Sequence, residues 1–397
     1  MKVLLIHNHY RSSSPSGEDS VVKNECKLLE ENGVETFLYE KFNDDIDDSS
    51  FLKRLEMGFD CAWSRRTYDE LTKMIKRIHP DIAHIHSVHP QISPSAYAAC
   101  QEMGVPVVHT LHNYRYICPG GLLLRDGRPC EDCVGRFPVN GLLHRCYRQS
   151  ITATGALVWM IGYNRWRGTF GNLVNRFIAL TDFAASRLAA GGIPADRIEV
   201  KPNFLQDVPV RSQSPRTNAV YVGRLSAEKG VKTLLSAWRS VKGVPLRIIG
   251  DGPLRAELEA MARPRKCDVE FMGTLPKDGV LSTAGGALLQ VVPSECYEGC
   301  PMALLEAFAC GTPVVASRIG SLAEIVVDGE TGLHFVPGDP VDLAGKVNAL
   351  AENTELASRL GRNARETYLR KYSPGMNFKM LMGIYQRARE DFEMRRA

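Results

Sequence analysis

The sequence predicts two doubly wound α/β domains, one after the other, each a parallel sheet covered by helices on both faces. Three observations predict this. The chain has 397 residues, more than the roughly 250–300 that one hydrophobic core holds. Short apolar runs alternate with longer helical patterns throughout, the mark of parallel sheets. The alternation breaks once, after Lys201, at the polar, proline-containing stretch PNFLQDVPVRSQSPRTN, which reads as a linker.

The first domain is expected over residues 1–203, with strands at Lys2–Ile6, Glu35–Tyr39, Ile82–Ile85, Val107–Thr110 and Arg176–Ala179. Helices are expected at Ser20–Asn32, Tyr68–Ile78 and Pro94–Met103, with Gly33 and Gly104 as stops. The second domain, 204–372, restarts with strands at Ala219–Val222, Leu246–Ile249, Val269–Met272, Leu288–Val292 and Pro313–Ala316. Residues 373–397 form a charged helix with one packed face. Ligands of such sheets sit beyond the carboxyl ends of the strands, so a cleft between the domains is the expected site.

Composition excludes several classes. Apolar residues are 44%, charged residues 24%, and the formal charge is +4 with no long Lys/Arg block, which argues against nucleic acid. The first apolar run, Val3 to Ile6, is too short for a secretory signal, and no stretch reaches the roughly 18–20 apolar residues of a membrane span. A cytoplasmic protein is expected, with room for contact at a membrane face. Its eleven cysteines are then expected to be reduced, with Cys26, Cys61, Cys100, Cys267 and Cys310 as small core residues. The first strand is not followed by G-x-G-x-x-G, which disfavours a nicotinamide-dependent enzyme.

The segment VVPSECYEGCPMALLEAFACGTPVVAS is the most informative. A strand ends near Val292, and Pro301 opens a run of helix formers that stops at Gly311. The backbone N–H groups of Met302, Ala303 and Leu304 then stand at a helix N-terminus, which favours phosphate. Glu298 precedes the helix and Glu306 lies on its second turn. Pro301 to Glu306 spans about 7–8 Å, roughly a diphosphate, so one carboxylate can meet sugar hydroxyls and the other ribose hydroxyls. The plainer alternative is two glutamates among 45 acidic residues, with Glu298 favouring the helix dipole. In YVGRLSAEKG, Arg224 and Lys229 lie in a strand-to-helix connection where both can reach one anion; the alternative is a solvated loop. Gly250 in IIGDGP and Gly17 in SSSPSGEDS permit close approach of a ligand or mark ordinary turns. Among ten histidines, His84 and His86 share one face of an extended segment, and His112 lies past the end of its strand.

Together these features resemble the retaining family-four glycosyltransferases of the GT-B fold, also called glycosyl transferase group 1. The resemblance covers nearly the whole chain. It is carried by SGED at 16–19, HTLHNYR at 109–115, GRLSAEKG at 223–230, GDGP at 250–253 and PSECYEGCPMALLEAFACGTPVVAS at 293–317. It implies a nucleotide-diphosphate-sugar donor and a glycan or polyprenyl-lipid-linked acceptor, in cell-surface polysaccharide or glycoconjugate assembly. Arg224 and Lys229 correspond to diphosphate ligands, Glu306 to the ribose ligand, Glu298 to the glutamate facing the donor sugar and His112 to the histidine near the reacting sugar. It also implies retained anomeric configuration, no cofactor for catalysis, and a last helix that returns to the first domain. Two departures stand out: the first loop has Gly17 where relatives have adjacent glycines, and Cys300 occupies a position where a larger apolar residue is common.

Within the first domain, an insertion at about 116–150 carries Cys118, Cys130, Cys133 and Cys146, the central pair as C-x-x-C. Four thiolates on turn-rich loops match a structural zinc site, with His144 as a substitute ligand; free thiols, a disulfide or a redox pair are the alternatives. The following stretch SITATGALVWMIGYNRWRGTF, with Arg145, Arg148, Arg165 and Arg167 around it, reads as a packed helix or as one lying on a membrane surface.

Overall fold

In the computed structural model the described residues are 1–12, 16–46, 51–206, 216–263 and 268–396, with backbone alone for 51–55. Cys267 and positions 207–215 of the linker lie outside them. The chain forms two compact units: Met1–Leu123 with Cys130–Pro202 and Asn377–Ala397, and Leu124–Pro129 with Asn203–Met376.

The strands, in chain order, are β1 (Lys2–His9), β2 (Glu35–Phe42), β3 (Ile82–Ser87), β4 (Val107–Thr110), the two-residue strands β5 (Leu124–Arg125) and β6 (Arg128–Pro129), β7 (Arg176–Ala179), β8 (Ile198–Val200), β9 (Ala219–Val222), β10 (Leu246–Ile249), β11 (Val269–Gly273), β12 (Leu289–Val292), β13 (Val314–Ser317) and β14 (Gly332–Phe335). The first unit holds a parallel sheet of order β2-β1-β3-β4-β7-β8. The second holds one of order β11-β10-β9-β12-β13-β14. Strand order reverses beside β1 in one and beside β9 in the other, and ligands of doubly wound sheets bind outside the carboxyl ends at such points. The two-domain α/β architecture matches the expectation.

Several boundaries differ. β1 continues past Ile6 to His9, and β3 past Ile85 to Ser87, because their polar residues find buried partners: His7, Asn8, His84 and His86 are buried. The first helix begins at Gly17, not Ser20. Ser16 caps it, and the Asp19 carboxylate accepts from the Ser16 backbone N–H at 3.3 Å, forming a capping box. The short edge strands β8 and β14 and the helix Phe51–Asp60 carry too little apolar alternation to stand out in the sequence.

Each sheet has its own core. In the second unit Tyr221, Leu246, Leu289 and Val315 pack with Leu234 and Trp238. In the first, Val3, Leu5, Val108 and Ile178 pack with Leu381, Ile384, Tyr385 and Ala388. The last four belong to the terminal helix Pro374–Arg396. Each large aliphatic side chain so buried contributes about 1.5–3 kcal/mol, which fixes this helix on the sheet.

Candidate functional site

In the second unit, three connections meet at the carboxyl ends of β9, β10 and β12. Their approach is close enough to require glycine. A Cβ on Gly250 (φ +133) would stand 2.0 Å from the Gly223 carbonyl, and one on Gly230 (φ +65) 1.9 Å from that of Pro293. The second contact brings the end of the Arg224–Lys229 loop against the acidic segment, and the Glu295 N–H donates to the Glu228 carbonyl at 2.9 Å.

That contact brings Lys229 onto Glu298. Lys229 Nζ donates to Glu298 Oε1 at 2.6 Å, and Ser294 Oγ donates to the same oxygen at 2.6 Å. The Lys229 side chain is 27% exposed and that of Glu298 12%. Burial opposes the charge on each, but the pair overcomes it. Lys229 is raised, mainly by the Glu298 carboxylate, and Glu298 is held below the usual carboxylate range by Lys229 and Ser294. Arg224 lies exposed beside this pair in sequence, with its carbonyl held by the Tyr221 hydroxyl at 2.8 Å.

The helix expected from Pro301 runs Met302–Cys310, with Pro301 at its N-cap and Gly311 in the left-handed conformation at its end (φ 65). Asn203 donates to the Cys300 carbonyl and Gln290 to that of Ala303, both at 2.8 Å. One expectation fails in detail: the Leu304 N–H donates to the Pro301 carbonyl at 3.1 Å, because the first turn closes on itself. The Leu304 side chain is in the core. Met302 and Ala303 remain the terminal donors of this helix end. Glu306 is half-buried on the second turn, and burial raises its pKa, with Lys277 opposing.

In the first unit, Gly17 is exposed at the first position of its helix. The next residue, Glu18, accepts a hydrogen bond from Asn113 Nδ2 at 3.0 Å, which ties the loop after β4 to this helix. His112, just before Asn113, is half-buried. Its Nε2 lies 3.0 Å from His86 Nδ1, and burial holds its pKa well below the ordinary histidine value. Sequence reasoning missed Glu18, Ser294 and Glu25, the last a buried carboxylate beside His84 and His86. Only the helical spacing of Glu18 and Glu25, seven apart and on one face, signalled them.

Of the insertion cysteines, Cys118 and Cys133 are buried and Cys130 and Cys146 half-buried. A Cβ on Gly120 would lie 3.7 Å from both Cys118 Sγ and Cys146 Cβ, so the two chain segments are adjacent. Among the described residues, the groups whose ligand atoms converge within 4.8 Å are His7–His9–Asp19 and Glu25–His84–His86, not the four thiols. The expected core cysteines Cys61, Cys100 and Cys310 are buried, whereas Cys26 is half-exposed. The helix Ile151–Trp166 buries Leu157, Met160 and Ile161 and leaves Trp159 and Trp166 outside. No helix among the described residues is long and apolar enough to cross a membrane.

Over 97% of this chain and 100% of the other, the structure is similar to that of Anabaena HepE in complex with UDP and glucose, with a TM-score of 0.65 at 17% identity; the fold is GT-B. The family described as Glycosyltransferase Family 4 matches residues 15–206, and that described as Glycosyl transferases group 1 matches 207–367. The chain is 27% identical over 346 residues to the alpha-D-kanosaminyltransferase of Streptomyces kanamyceticus, covering 83% of this chain and 84% of that protein. It is 36% identical over 155 residues to an uncharacterized glycosyltransferase of Methanocaldococcus jannaschii, which is 39% of this chain and 43% of that one; the chain thus spans less than half the length of this relative. Residues 207–367 thus belong to the group 1 glycosyltransferases and residues 15–206 to Glycosyltransferase Family 4.

Proposed function

We propose that this protein moves a sugar from a nucleotide-diphosphate sugar to a glycan or polyprenyl-lipid-linked acceptor, with retention of anomeric configuration, in cell-surface polysaccharide or glycoconjugate assembly. The observation that carries the reading is the Lys229–Glu298 pair, at 2.6 Å, ahead of the helix Met302–Cys310. Lys229 and Arg224 supply positive charge for the diphosphate, together with the N–H groups of Met302 and Ala303. Glu306 accepts from the ribose hydroxyls. Glu298, kept ionised, accepts from the hydroxyls of the donor sugar. The backbone at Gly17 and Gly250 allows close approach, and His112 meets the reacting sugar. Two side-chain cations and a helix end take the place of a divalent ion, so catalysis needs no cofactor. In the transfer, the acceptor oxygen bonds to the anomeric carbon as the bond to the diphosphate breaks. The acceptor proton passes to a leaving phosphate oxygen on the same face, and the site stabilises the departing charge. The UDP and glucose bound by Anabaena HepE support a nucleotide-sugar donor.

A specific observation favours a lipid-linked acceptor at the inner membrane face. Trp166 is 82% exposed, Leu143 70% and Phe137 61%, and Arg145, Arg148 and Arg167 lie in the same stretch. Aromatic and aliphatic side chains mixed with arginines suit an anionic bilayer surface. Structural zinc at Cys118, Cys130, Cys133 and Cys146 is a proposal that requires the thiols to draw together, since they do not converge within 4.8 Å as a group; elemental analysis of protein purified without chelator is expected to give one zinc per chain, and no metal removes it.

The assignment is tested by thermal shift with nucleoside diphosphates, then by turnover with sugar nucleotides of the base that binds. A shift in the wild type and none in the Arg224→Ala, Lys229→Ala double variant is expected. No response to any nucleotide sinks the assignment. Product NMR decides retention against inversion.

A further inference from the structure

Five ionisable side chains meet behind His112 within the first unit. Glu25, on the helix Gly17–Glu31, is fully buried, and its Oε2 accepts from Lys201 Nζ at 3.0 Å. Its Oε1 lies 2.8 Å from His84 Nδ1 and 3.2 Å from His86 Nε2. His86 Nδ1 in turn lies 3.0 Å from His112 Nε2. His84 is engaged on both nitrogens, by the Tyr385 hydroxyl and by Thr110 Oγ1, each at 2.8 Å. Lys201 Nζ also donates to Asn377 at 3.0 Å. Helix, strand, loop and terminal helix therefore all contribute to one chain of polar contacts that ends at the half-buried His112.

We propose that Glu25 is a positioning residue: through His86 it fixes His112 as the Nε2–H tautomer and leaves His112 Nδ1 with the lone pair. The tautomer rests on these contacts and on the burial that keeps both rings neutral; its consequence for transfer rests on the role given to His112 above.

Glu25 Oε1 stands 3.2 Å from His86 Nε2 but out of line for a hydrogen bond; its negative charge nonetheless repels a lone pair there and attracts an N–H, which places the proton of His86 on Nε2. Burial, reinforced by the neighbouring His84, pushes the pKa of His86 down to about 3, so the ring is neutral and carries that one proton. His86 Nδ1 must then accept, and the atom 3.0 Å away, His112 Nε2, must donate. His112 is also held neutral by burial, and next by His86 and His7. Its remaining nitrogen, Nδ1, is therefore an acceptor. It can take a hydrogen bond from a hydroxyl of the bound sugar and cannot offer one. Orientation of a histidine by the partner of its other ring nitrogen is the general device for setting such a role.

The full-length protein labelled with 15N-histidine tests this through the two-bond ring correlations, which separate Nε2–H from Nδ1–H. The His112 signal is assigned by its loss in His112→Gln. The wild type is expected to show Nε2–H. His86→Leu, which removes the acceptor, is expected to give a mixture and to lower kcat at least about tenfold with little change in KM. His86→Asn, which keeps an acceptor near the Nδ1 position, is expected to restore both. Glu25→Gln, which removes the charge and keeps the shape, should shift the tautomer in the same direction. A wild-type His112 in the Nδ1–H form overturns the proposal, and this reading stands even if a variant fails to fold. An unchanged tautomer in a folded His86→Leu overturns it too. The expected tautomer in a protein that responds to no nucleotide would sink the assigned function and leave this inference intact.

Discussion

The connection that follows the central strand of each sheet does opposite things with charge. After β9, Arg224 is exposed and Lys229 is 27% exposed, so their charges stay partly hydrated and available to an anion. Around β1 and β3, by contrast, His7, His84, His86 and Glu25 are buried completely or nearly so. Nine of the ten histidines fall in the first unit, His334 being the exception. The difference teaches a division of labour. The groups proposed to bind a charged ligand stay near water, where an unpaired charge is tolerable; those proposed to orient another side chain are buried, where low dielectric makes their contacts specific.

Acid should break this symmetry first and most strongly. His86 and His109 are both held near about 3 by burial, then by neighbouring imidazoles, against about 6.5 in an unfolded chain. Between those values the unfolded chain binds protons that the folded one refuses. Stability therefore falls as pH falls through that window, by on the order of 1.4 kcal/mol per pH unit per histidine. Glu298 and Glu25 have depressed pKa values, so their contributions are full above about pH 4.3 and are lost only below it. Hydrogen exchange at pH 5 is expected to expose the first unit while the second stays protected; simultaneous opening would refute the comparison.

Breaking an ion pair in each region sharpens the same point. Glu25→Ala strands the buried Lys201 and is expected to lower stability by about 3–5 kcal/mol, read as a reduced urea midpoint. Lys229→Ala leaves Glu298, 12% exposed, with Ser294 as its remaining partner and should lower stability less, by about 1–2 kcal/mol. Its turnover of a sugar nucleotide should nonetheless fall about 100-fold. Equal stability losses in the two variants would erase the distinction. Gly250→Ala, with its Cβ 2.0 Å from the Gly223 carbonyl, should cost about 1–3 kcal/mol through backbone strain and weaken nucleotide binding as the loop shifts. Trp166→Ala should change stability by about 0.5 kcal/mol or less, yet reduce sedimentation with anionic vesicles. Unaltered vesicle binding there would remove the membrane face from the functional reading.

Much of the second unit's site was legible in the chain. Pro301, Gly311 and the helix formers between them place a helix start after a strand through local rules alone, and Arg224, Lys229, Glu298 and Glu306 were found by position relative to strands. The first unit was less legible. Gly17 was found but its helix start was misplaced, since the Ser16–Asp19 capping box competes with no apolar signal. Glu25 looked like one more acid on an amphipathic helix, because nothing in its neighbours reveals Lys201, 176 positions away in the chain.

The sequence by itself determined what depends on neighbours along the chain: two parallel sheets, the strand-to-helix connections and the start of the helix Met302–Cys310. Local propensity and apolar periodicity act over a few residues, so they can be read without a fold. Only the tertiary structure decided which charges are paired and which way a ring is protonated. Lys229 meets Glu298 across 69 positions, and Lys201 meets Glu25 across 176. Such pairs exist because sheet order brings distant strand ends together, and each pairing holds its glutamate below the ordinary carboxylate range against the opposing effect of burial.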